Sequence, residues 1–231
     1  MKMRKTLYFS NIEGNIMEKD ENVKFNLYME EYIRDNLNND YSMIFIGAPG
    51  LGGEENYLQN IIKCFEKADI IFKEIIDIEN DVDKNDIESF INRNNKYIFF
   101  LMGGNPITQM QIIEKYNLNK TIKNHNDLVI GFCAGAINLS KISIITSDED
   151  FEKSNSYIGI GRENICIEPH YNEENDDKRN KEIQDFCNQY NTIIYAIPDK
   201  SIIYFENGKM TRNGKIYEFK EKRWWLKWII L

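Results

Sequence analysis

The sequence predicts an α/β fold of three layers, in which helices cover both faces of a mostly parallel sheet. Five short runs rich in Ile, Phe, Tyr or Val have the pattern of buried strands: Lys5–Phe9, Tyr41–Gly47, Ile70–Ile76, Tyr97–Met102 and Asp127–Phe132. Four segments between them carry apolar residues at helical spacing: Asn22–Leu37, Glu55–Lys67, Lys84–Asn92 and Thr108–Tyr116. Strands that alternate with helices form βαβ units, whose parallel strands need cover on both faces.

The C-terminal third has a different pattern. A helix is predicted at Asp176–Tyr190, and three short strands follow at Thr192–Ile197, Ser201–Phe205 and Lys215–Phe219. The turn signals Asn207-Gly208 and Asn213-Gly214 separate the last segments, which predicts antiparallel hairpins at the edge of the sheet. No internal repeat or linker interrupts the chain, so residues 1–231 are expected to form a single domain.

Composition excludes several classes of function. The 231 residues include 29 Lys and Arg against 37 Asp and Glu, and the resulting net charge of −8 disfavours general nucleic-acid binding. No apolar run approaches the length of roughly 20 residues that a membrane span needs, and the N-terminus lacks the pattern of a secretory signal. We therefore expect a cytoplasmic protein with neither a membrane span nor a nucleic-acid partner.

Cysteine and histidine are scarce. The four cysteines, at positions 64, 133, 166 and 187, show no Cys-x-x-Cys spacing, which argues against a zinc ribbon or a redox pair and fits a reducing cytosol. Two histidines, His125 and His170, are too few for a metal centre built on histidine. No metal or cofactor is implied, so any chemistry must come from a small set of side chains.

The densest chemical signal is a strand that runs directly into a Gly-x-Cys-x-Gly turn. Residues 128–138 read LVIGFCAGAIN, with Cys133 in the turn and small residues opening a helix after it. This is the layout of a nucleophile elbow. A thiol there lies at a helix N-terminus, which favours the thiolate, and the N–H of Ala134 can stabilise an oxyanion. The alternative is a core cysteine in a tight turn.

Two further motifs support a catalytic interpretation. Residues 99–106 read FFLMGGNP, which places a Gly-Gly turn at the carboxyl end of another buried strand, where a second oxyanion donor is expected. His170 stands in the run IEPHY and is the stronger candidate for the base that a thiol needs. His125 lies in a polar turn and is expected to be exposed. A glycine turn or a structural histidine is the alternative for each motif taken alone.

The combined motifs resemble the peptidase E family, peptidase family S51. They are Gly-Gly-Asn at 103–105, Gly-x-Cys-Ala-Gly-Ala at 131–136, Pro-His-Tyr at 169–171 and Ile-Pro-Asp at 197–199, in the family's order and spacing over nearly the whole chain. That group includes α-aspartyl dipeptidases and cyanophycinase, and it shares the class I glutamine amidotransferase-like fold, a flavodoxin-like architecture. The resemblance implies a hydrolase of short peptides, with N-terminal aspartyl peptides among its expected substrates.

The resemblance also implies a catalytic triad. The family's nucleophilic Ser corresponds to Cys133, and its histidine base corresponds to His170. The acidic partner falls either on Asp148, fifteen residues after the nucleophile, or on Asp199 in the late Ile-Pro-Asp motif. Both acids remain candidates, and a solvated surface carboxylate is the alternative for each.

Three more positions follow from the same resemblance. The oxyanion hole maps onto Gly104 and Ala134. The arginine that holds the substrate's aspartyl carboxylate in the family falls on Arg179, which stands on a predicted helix among several acids. A surface salt bridge is therefore the alternative for Arg179.

The exchange of Ser for Cys keeps a second enzymatic hypothesis open. A cysteine in Gly-x-Cys-x-Gly is typical of the glutaminase branch of this fold, which favours an amidase or an acyltransferase. That branch places Glu two residues after its His, whereas Asn172 stands there in this sequence. The missing Glu counts against a glutaminase.

A third hypothesis is a binding or regulatory protein without catalysis. The C-terminal run RWWLKWIIL at 223–231 combines three Trp with cations, which is suited to docking on a partner or a membrane surface. The alternatives are that this segment covers the protein's own apolar face or forms a contact in a homodimer.

Overall fold

Strands and helices alternate along the first 130 residues, apart from two successive helices before the fifth strand. The computed structural model describes residues 3–49, 56–78, 82–172 and 177–221. Its strands are β1 Lys5–Phe9, β2 Ser42–Ile46, β3 Ile75–Ile78, β4 Tyr97–Leu101, β5 Leu128–Phe132, β6 Ile142–Ile145, β7 Asn155–Ile158, β8 Cys166–Glu168, β9 Ile194–Ala196, β10 Ile202–Glu206, β11 Lys209–Asn213 and β12 Tyr217–Phe219. Its helices are α1 Leu27–Asn36, α2 Tyr57–Lys67, α3 Lys84–Arg93, α4 Pro106–Lys115, α5 Asn119–Asn124, α6 Ala134–Leu139 and α7 Asp177–Tyr190.

The central sheet has helices on both faces. Within the described ranges, its seven strands follow the order β11-β10-β1-β5-β4-β2-β3, and the five from β1 to β3 run parallel. Side chains alternate between the faces, so Leu7 and Phe9 join one apolar core while Tyr8 joins the other. Helices α1 and α2 pack on the first face, and α3, α4, α5 and α6 pack on the second. This arrangement confirms the predicted three-layer α/β fold.

Side-chain caps decide where two of the helices begin. Asn26 Oδ1 accepts a hydrogen bond from the backbone N–H of Met29, so α1 begins at Leu27 rather than at the predicted Asn22. Asn105 Oδ1 accepts from the N–H groups of Ile107 and Thr108, and α4 accordingly begins at Pro106. The Gly-Gly turn is thereby held between the end of β4 and a capped helix.

The third strand lies later than predicted, at Ile75–Ile78 instead of Ile70–Ile76. The backbone N–H of Ile70 donates to the carbonyl of Phe65, and Asp69 adopts a φ of 60°, so this segment closes the C-terminus of α2. Ile71 is 63% exposed and lies in a loop. The apolar run therefore contains a helix cap followed by a strand.

The C-terminal segments do not all lie at the edge of the central sheet. Strands β10 and β11 form a hairpin there around the predicted turn, where Asn207 and Gly208 both have the positive φ that a tight hairpin requires. The second strand of this hairpin, β11, was not predicted. The segments predicted at Thr192–Ile197 and Lys215–Phe219 instead belong to a separate sheet, where β9 pairs in parallel with β8 and antiparallel with β12. Helix α7 connects β8 to β9 and packs Ile183 in a small core with them.

Arg162 is a fully buried cation that ties the start of the sheet together. Its guanidinium donates to the carbonyls of Ile122, His125 and Asp127, to that of Lys5, and to Thr6 Oγ1 through Nε. These acceptors belong to the ends of α5 and β5 and to β1, so one side chain satisfies several buried carbonyls. Burial lowers the pKa of Arg162 to about 10.

The sequence predicts that the chain has no membrane span, and it leaves the role of the Trp-rich C-terminal segment open. Among the residues that the structure describes, no helix has both the length and the apolar character that a bilayer crossing demands. The Trp-rich segment 223–231 lies outside the described residues.

Candidate active site

Cys133 occupies a strained turn between β5 and α6. Its φ of 46° and ψ of −104° lie outside the regions that a non-glycine residue ordinarily adopts. Its backbone N–H donates to the carbonyl of Phe9 at 3.0 Å, which ties the turn to the neighbouring strand β1. The thiol is half-buried, whereas the other three cysteines are buried. The elbow predicted from the sequence therefore has the strained backbone that such a turn requires.

The helix after Cys133 lies so close to the sheet that a side chain at Gly135 has no room. A Cβ placed there would lie 2.2 Å from the carbonyl oxygen of Leu101, on β4. The N–H of Gly135 in turn donates to the carbonyl of Met102 at 3.1 Å. Glycine at position 135, two residues after Cys133, is thus required by the contact between α6 and the end of β4.

The two backbone amides expected to form an oxyanion hole lie on either side of this contact. Ala134 is the first residue of α6, so its N–H has no acceptor within the helix. Gly104 has a φ of +122°, and a Cβ at that position would lie 2.2 Å from the carbonyl oxygen of Ala48. A residue other than glycine would therefore change the backbone course of the Gly103-Gly104 turn.

His170 lies between Cys133 and Asp199. Its Nδ1 is 2.7 Å from Asp199 Oδ1, and the other carboxylate oxygen accepts from Asn11 Nδ2 at 3.2 Å. The imidazole is 40% exposed, and the backbone of His170 has a φ of 52°. Nδ1 is engaged with Asp199, which leaves Nε2 as the ring nitrogen for Cys133.

The electrostatics of this group couple the three side chains. Burial alone would lower the pKa of His170, but the charge and hydrogen bond of Cys133 and those of Asp199 raise it to about 10. Burial would likewise raise the pKa of the Asp199 carboxyl, yet the hydrogen bond and charge of His170 bring it below its usual range. The charges and hydrogen bonds of its neighbours therefore favour the protonated form of the imidazole.

Asp148 lies in a turn after β6 and is exposed. Its Oδ1 accepts hydrogen bonds from the backbone N–H groups of Asp150 and Phe151, at 2.9 and 2.8 Å. It shares a cavity with His170, but the carboxylate that accepts a hydrogen bond from the imidazole is that of Asp199. The structure therefore brings one of the two candidate acids into contact with the histidine.

Arg179 is bound to the segment that carries His170. Its Nε donates to Glu168 Oε1 at 2.7 Å, while Nη1 and Nη2 donate to the carbonyls of His170 and Pro169. Glu168 is buried and also accepts from Thr146 Oγ1 at 2.7 Å. Burial raises the pKa of the Glu168 carboxyl, and the charge of Arg179 offsets part of this rise. This ion pair fixes the backbone at His170.

Sequence reasoning missed Glu168 and Asn11. Glu168 ends the buried strand β8, and an acidic residue in an apolar strand requires a buried partner, so that position carried a usable signal. Asn11 carried none, because its contact with Asp199 joins residues 188 positions apart. The expectation that His125 is exposed was wrong: it is 9% exposed, and its Nε2 lies 2.9 Å from the carbonyl of Tyr97.

Several of the predicted site residues line one cavity of about 520 Å³. Gly104, Cys133, His170 and Arg179 contribute to its wall, and Asp148 lies on the same wall. Within the described residues, no cluster of three or more His, Cys, Asp or Glu side chains has the arrangement of a metal site. The cavity lies where the carboxyl ends of β4 and β5 meet, the usual place for a site in an open α/β sheet.

Comparisons with known proteins show the fold and the family of the chain. The structure matches the crystal structure of a candidate peptidase E protein from Listeria monocytogenes EGD-e with a TM-score of 0.62 and 17% identity, over 91% of this chain and 98% of that one. At this identity the likeness shows the fold alone. No curated protein matches the sequence. The profile of peptidase family S51 matches residues 15–213, and by this match, which confirms the resemblance drawn from the motifs, the chain belongs to peptidase family S51.

Proposed function

We propose that the protein is a peptidase E-like hydrolase that cleaves short peptides through a thioester on Cys133. The observation that carries this proposal is the arrangement of Cys133, His170 and Asp199: a strained elbow cysteine beside an imidazole whose other nitrogen is 2.7 Å from a carboxylate. Nucleophile, base and orienting acid in this order form the arrangement that acyl transfer requires. Family membership supports the reaction class.

In the first half of the reaction, Cys133 Sγ attacks the carbonyl carbon of the peptide bond. The carbonyl π electrons move to oxygen, and the N–H groups of Gly104 and Ala134 are the proposed donors to this oxyanion. The tetrahedral intermediate collapses and the C–N bond breaks. His170, which holds the proton, donates it to the leaving amine.

In the second half, water replaces the amine. His170 takes a proton from the water as its oxygen attacks the thioester carbonyl, and the same two N–H groups stabilise the second oxyanion. The C–S bond then breaks, which releases the carboxylic acid product and restores the thiolate beside the protonated imidazole. Asp199 holds the ring orientation through Nδ1 during both proton transfers.

Replacement of the proposed nucleophile tests this function. We expect Cys133→Ala to reduce kcat/KM for dipeptide hydrolysis at least about a thousandfold, because the covalent route is lost. Cys166→Ala is the matched control, since that thiol is buried away from the cavity. A Cys133→Ala variant with unchanged turnover would contradict the proposal.

Two comparisons address the alternatives that the sequence leaves open. If Asp199 orients His170, Asp199→Asn lowers kcat more than Asp148→Asn does; the reverse order makes Asp148 the acid.

An amidase is the second candidate, favoured by the cysteine nucleophile. Release of ammonia from glutamine, at a rate above dipeptide cleavage, would establish that function instead.

A further inference from the structure

The described wall of the cavity carries more negative than positive charge. Asp148, Asp150 and Glu168 contribute carboxylates, and Arg179 contributes the guanidinium of this described wall. Protonated His170 is paired with the carboxylate of Asp199. A ligand in this cavity therefore meets an excess of carboxylate.

Arg179 is poorly placed to offset that excess, because Glu168 already neutralises it. The guanidinium has five N–H donors; Nε donates to Glu168 Oε1 at 2.7 Å, and Nη2 lies 2.6 Å from the same oxygen. Nη2 also donates to the carbonyl of Pro169 at 2.6 Å, and Nη1 donates to that of His170 at 3.0 Å. A bidentate grip on a substrate carboxylate needs two parallel N–H groups, and these contacts leave no such pair.

Asp148 and Asp150 have no such neutralising partner in the described part of the chain. The Oδ1 of Asp148 accepts two backbone N–H groups, which hold its carboxylate in place at the cavity. Asp150 lines the same cavity and is exposed. Two carboxylates at the wall are suited to a ligand cation, and the cation that every unblocked peptide carries is its α-ammonium group.

The rest of the wall is predominantly apolar. Met17, Tyr57 and Phe132 line it, together with Ile145 and Phe151 close to the two aspartates in sequence. An apolar side chain gains free energy on entering such a wall, whereas an acidic one loses its hydration and meets like charge.

We infer that this cavity binds short peptides with a free α-ammonium group and an apolar first side chain, and that it disfavours N-terminal aspartyl peptides. The inference rests on the proposed function for the cleavage step, while the choice of ligand depends on the charge and the apolar wall of the cavity. Asp148 and Asp150 hold the ammonium group, and the apolar wall receives the side chain. The ion pair of Glu168 with Arg179 removes the cation that an aspartyl side chain needs.

Binding to the Cys133→Ala variant tests the ligand class without requiring turnover. Calorimetry compares Leu-Leu-amide, Asn-Leu-amide, Asp-Leu-amide and N-acetyl-Leu-Leu-amide, all of which lack a C-terminal carboxylate. Asn and Asp are nearly equal in size, so that pair isolates the charge. We expect Asp-Leu-amide to bind about tenfold more weakly than Asn-Leu-amide, and the acetylated peptide about tenfold more weakly than its free counterpart.

Two variants examine the residues responsible. Asp150→Asn should reduce the advantage of the free amine over the acetylated peptide, and Glu168→Gln should strengthen binding of Asp-Leu-amide relative to Asn-Leu-amide by releasing Arg179. Because Glu168 is buried, circular dichroism must first show that its variant is folded; the comparison at Asp150 carries the test if it is not.

The outcomes separate this inference from the proposed function. If Asp-Leu-amide binds as tightly as Asn-Leu-amide, if acetylation changes nothing, or if no peptide binds, the inference is overturned. Cys133-dependent cleavage that prefers aspartyl peptides would overturn it while supporting the proposed function. Binding in the expected order by a wild-type protein that cleaves none of the peptides would support the inference and remove the proposed function.

Discussion

Replacement of Asp199 by Asn tests the electrostatic coupling on which the proposed chemistry depends. The pKa of His170 is about 10 in the folded protein against an ordinary value of 6.5, a rise of about 3.5 (10 − 6.5). Burial acts in the opposite direction, so the charges and hydrogen bonds of Cys133 and Asp199 are the main causes of this rise. Asn keeps the size of the side chain but removes its charge and the charged acceptor for Nδ1.

The size of the effect can be bracketed. Without Asp199, the neighbouring Cys133 still favours the protonated imidazole, so we expect the pKa of His170 to fall by at least about one pH unit but to remain above 6.5. In the double variant Cys133→Ala/Asp199→Asn both main causes of the rise are removed while burial remains, so we expect the pKa to fall below 6.5. Asp148→Asn is the matched control and should leave the value within about 0.3, because Asp148 is not among the main causes of the raised pKa.

NMR titration of the imidazole protons measures these values directly. The sequence has only two histidines, so two sets of signals appear, and His170→Gln assigns them. A wild-type His170 that titrates near 6.5, or one that Asp199→Asn leaves unchanged, would refute the coupling. The same variant should lower kcat/KM about a hundredfold, since the imidazole loses its orientation.

The raised pKa of His170 also has a consequence for stability. Protonation of this residue favours the folded state, so its contribution is complete below pH 6.5 and is lost as the pH rises through about 10. Because 40% of the imidazole is exposed, solvent screens the effect, and we expect a modest fall in Tm over this range. The fall should be smaller in Asp199→Asn. A Tm that rises from pH 6.5 to 10 by an amount that depends on His170 would contradict the assignment.

Further predictions concern the thiols, the elbow and the core. Iodoacetamide should label Cys133 at least about tenfold faster than the three buried cysteines, as followed by peptide mass spectrometry; equal rates would contradict its exposure at the cavity. Gly135→Ala should lower the free energy of unfolding in urea by about 3 kcal/mol, because the added Cβ would lie 2.2 Å from a carbonyl oxygen. Gly208→Ala is the control: its Cβ would meet no atom within 4 Å, and its positive φ should cost only about 1 kcal/mol. Arg162→Met should cost at least about 3 kcal/mol because several buried carbonyls lose their donor. Arg93→Met removes exposed contacts, an ion pair with Glu74 and a hydrogen bond to Ser89, and should cost less than about 1 kcal/mol.

Much of the fold follows from patterns that are local in the sequence. The strands around the site are short apolar runs. A strand that is buried on both faces of a parallel sheet is apolar along its whole length, so such runs are recognisable in the sequence. The start of α4 deviates from its apolar pattern because Asn105 caps it through contacts within three residues. Boundaries of this kind are predictable in principle once the caps are considered. The segment Ile70–Ile76 was harder to assign, because a helix cap and a strand share one apolar run.

The elbow is the part of the site that the sequence determines by itself. Its strand, its glycines and its thiol are contiguous, and the sterics of a strand-to-helix turn act between neighbours. The sequence therefore determines the position of Cys133, together with the N–H of Ala134 and the glycine at 135.

The surroundings of His170 were decided by the tertiary structure. The contact of His170 with Asp199 joins residues 29 positions apart, and nothing in the sequence distinguishes that acid from Asp148. Likewise, the family resemblance assigns Arg179 to the substrate's carboxylate, but the packing of β8 beside α7 binds it to Glu168. Local patterns determine where a nucleophile can stand, because strain and helix capping act over a few residues. Charge pairing depends on which elements pack side by side, so the folded chain decides which carboxylate reaches the histidine and which cation a substrate meets.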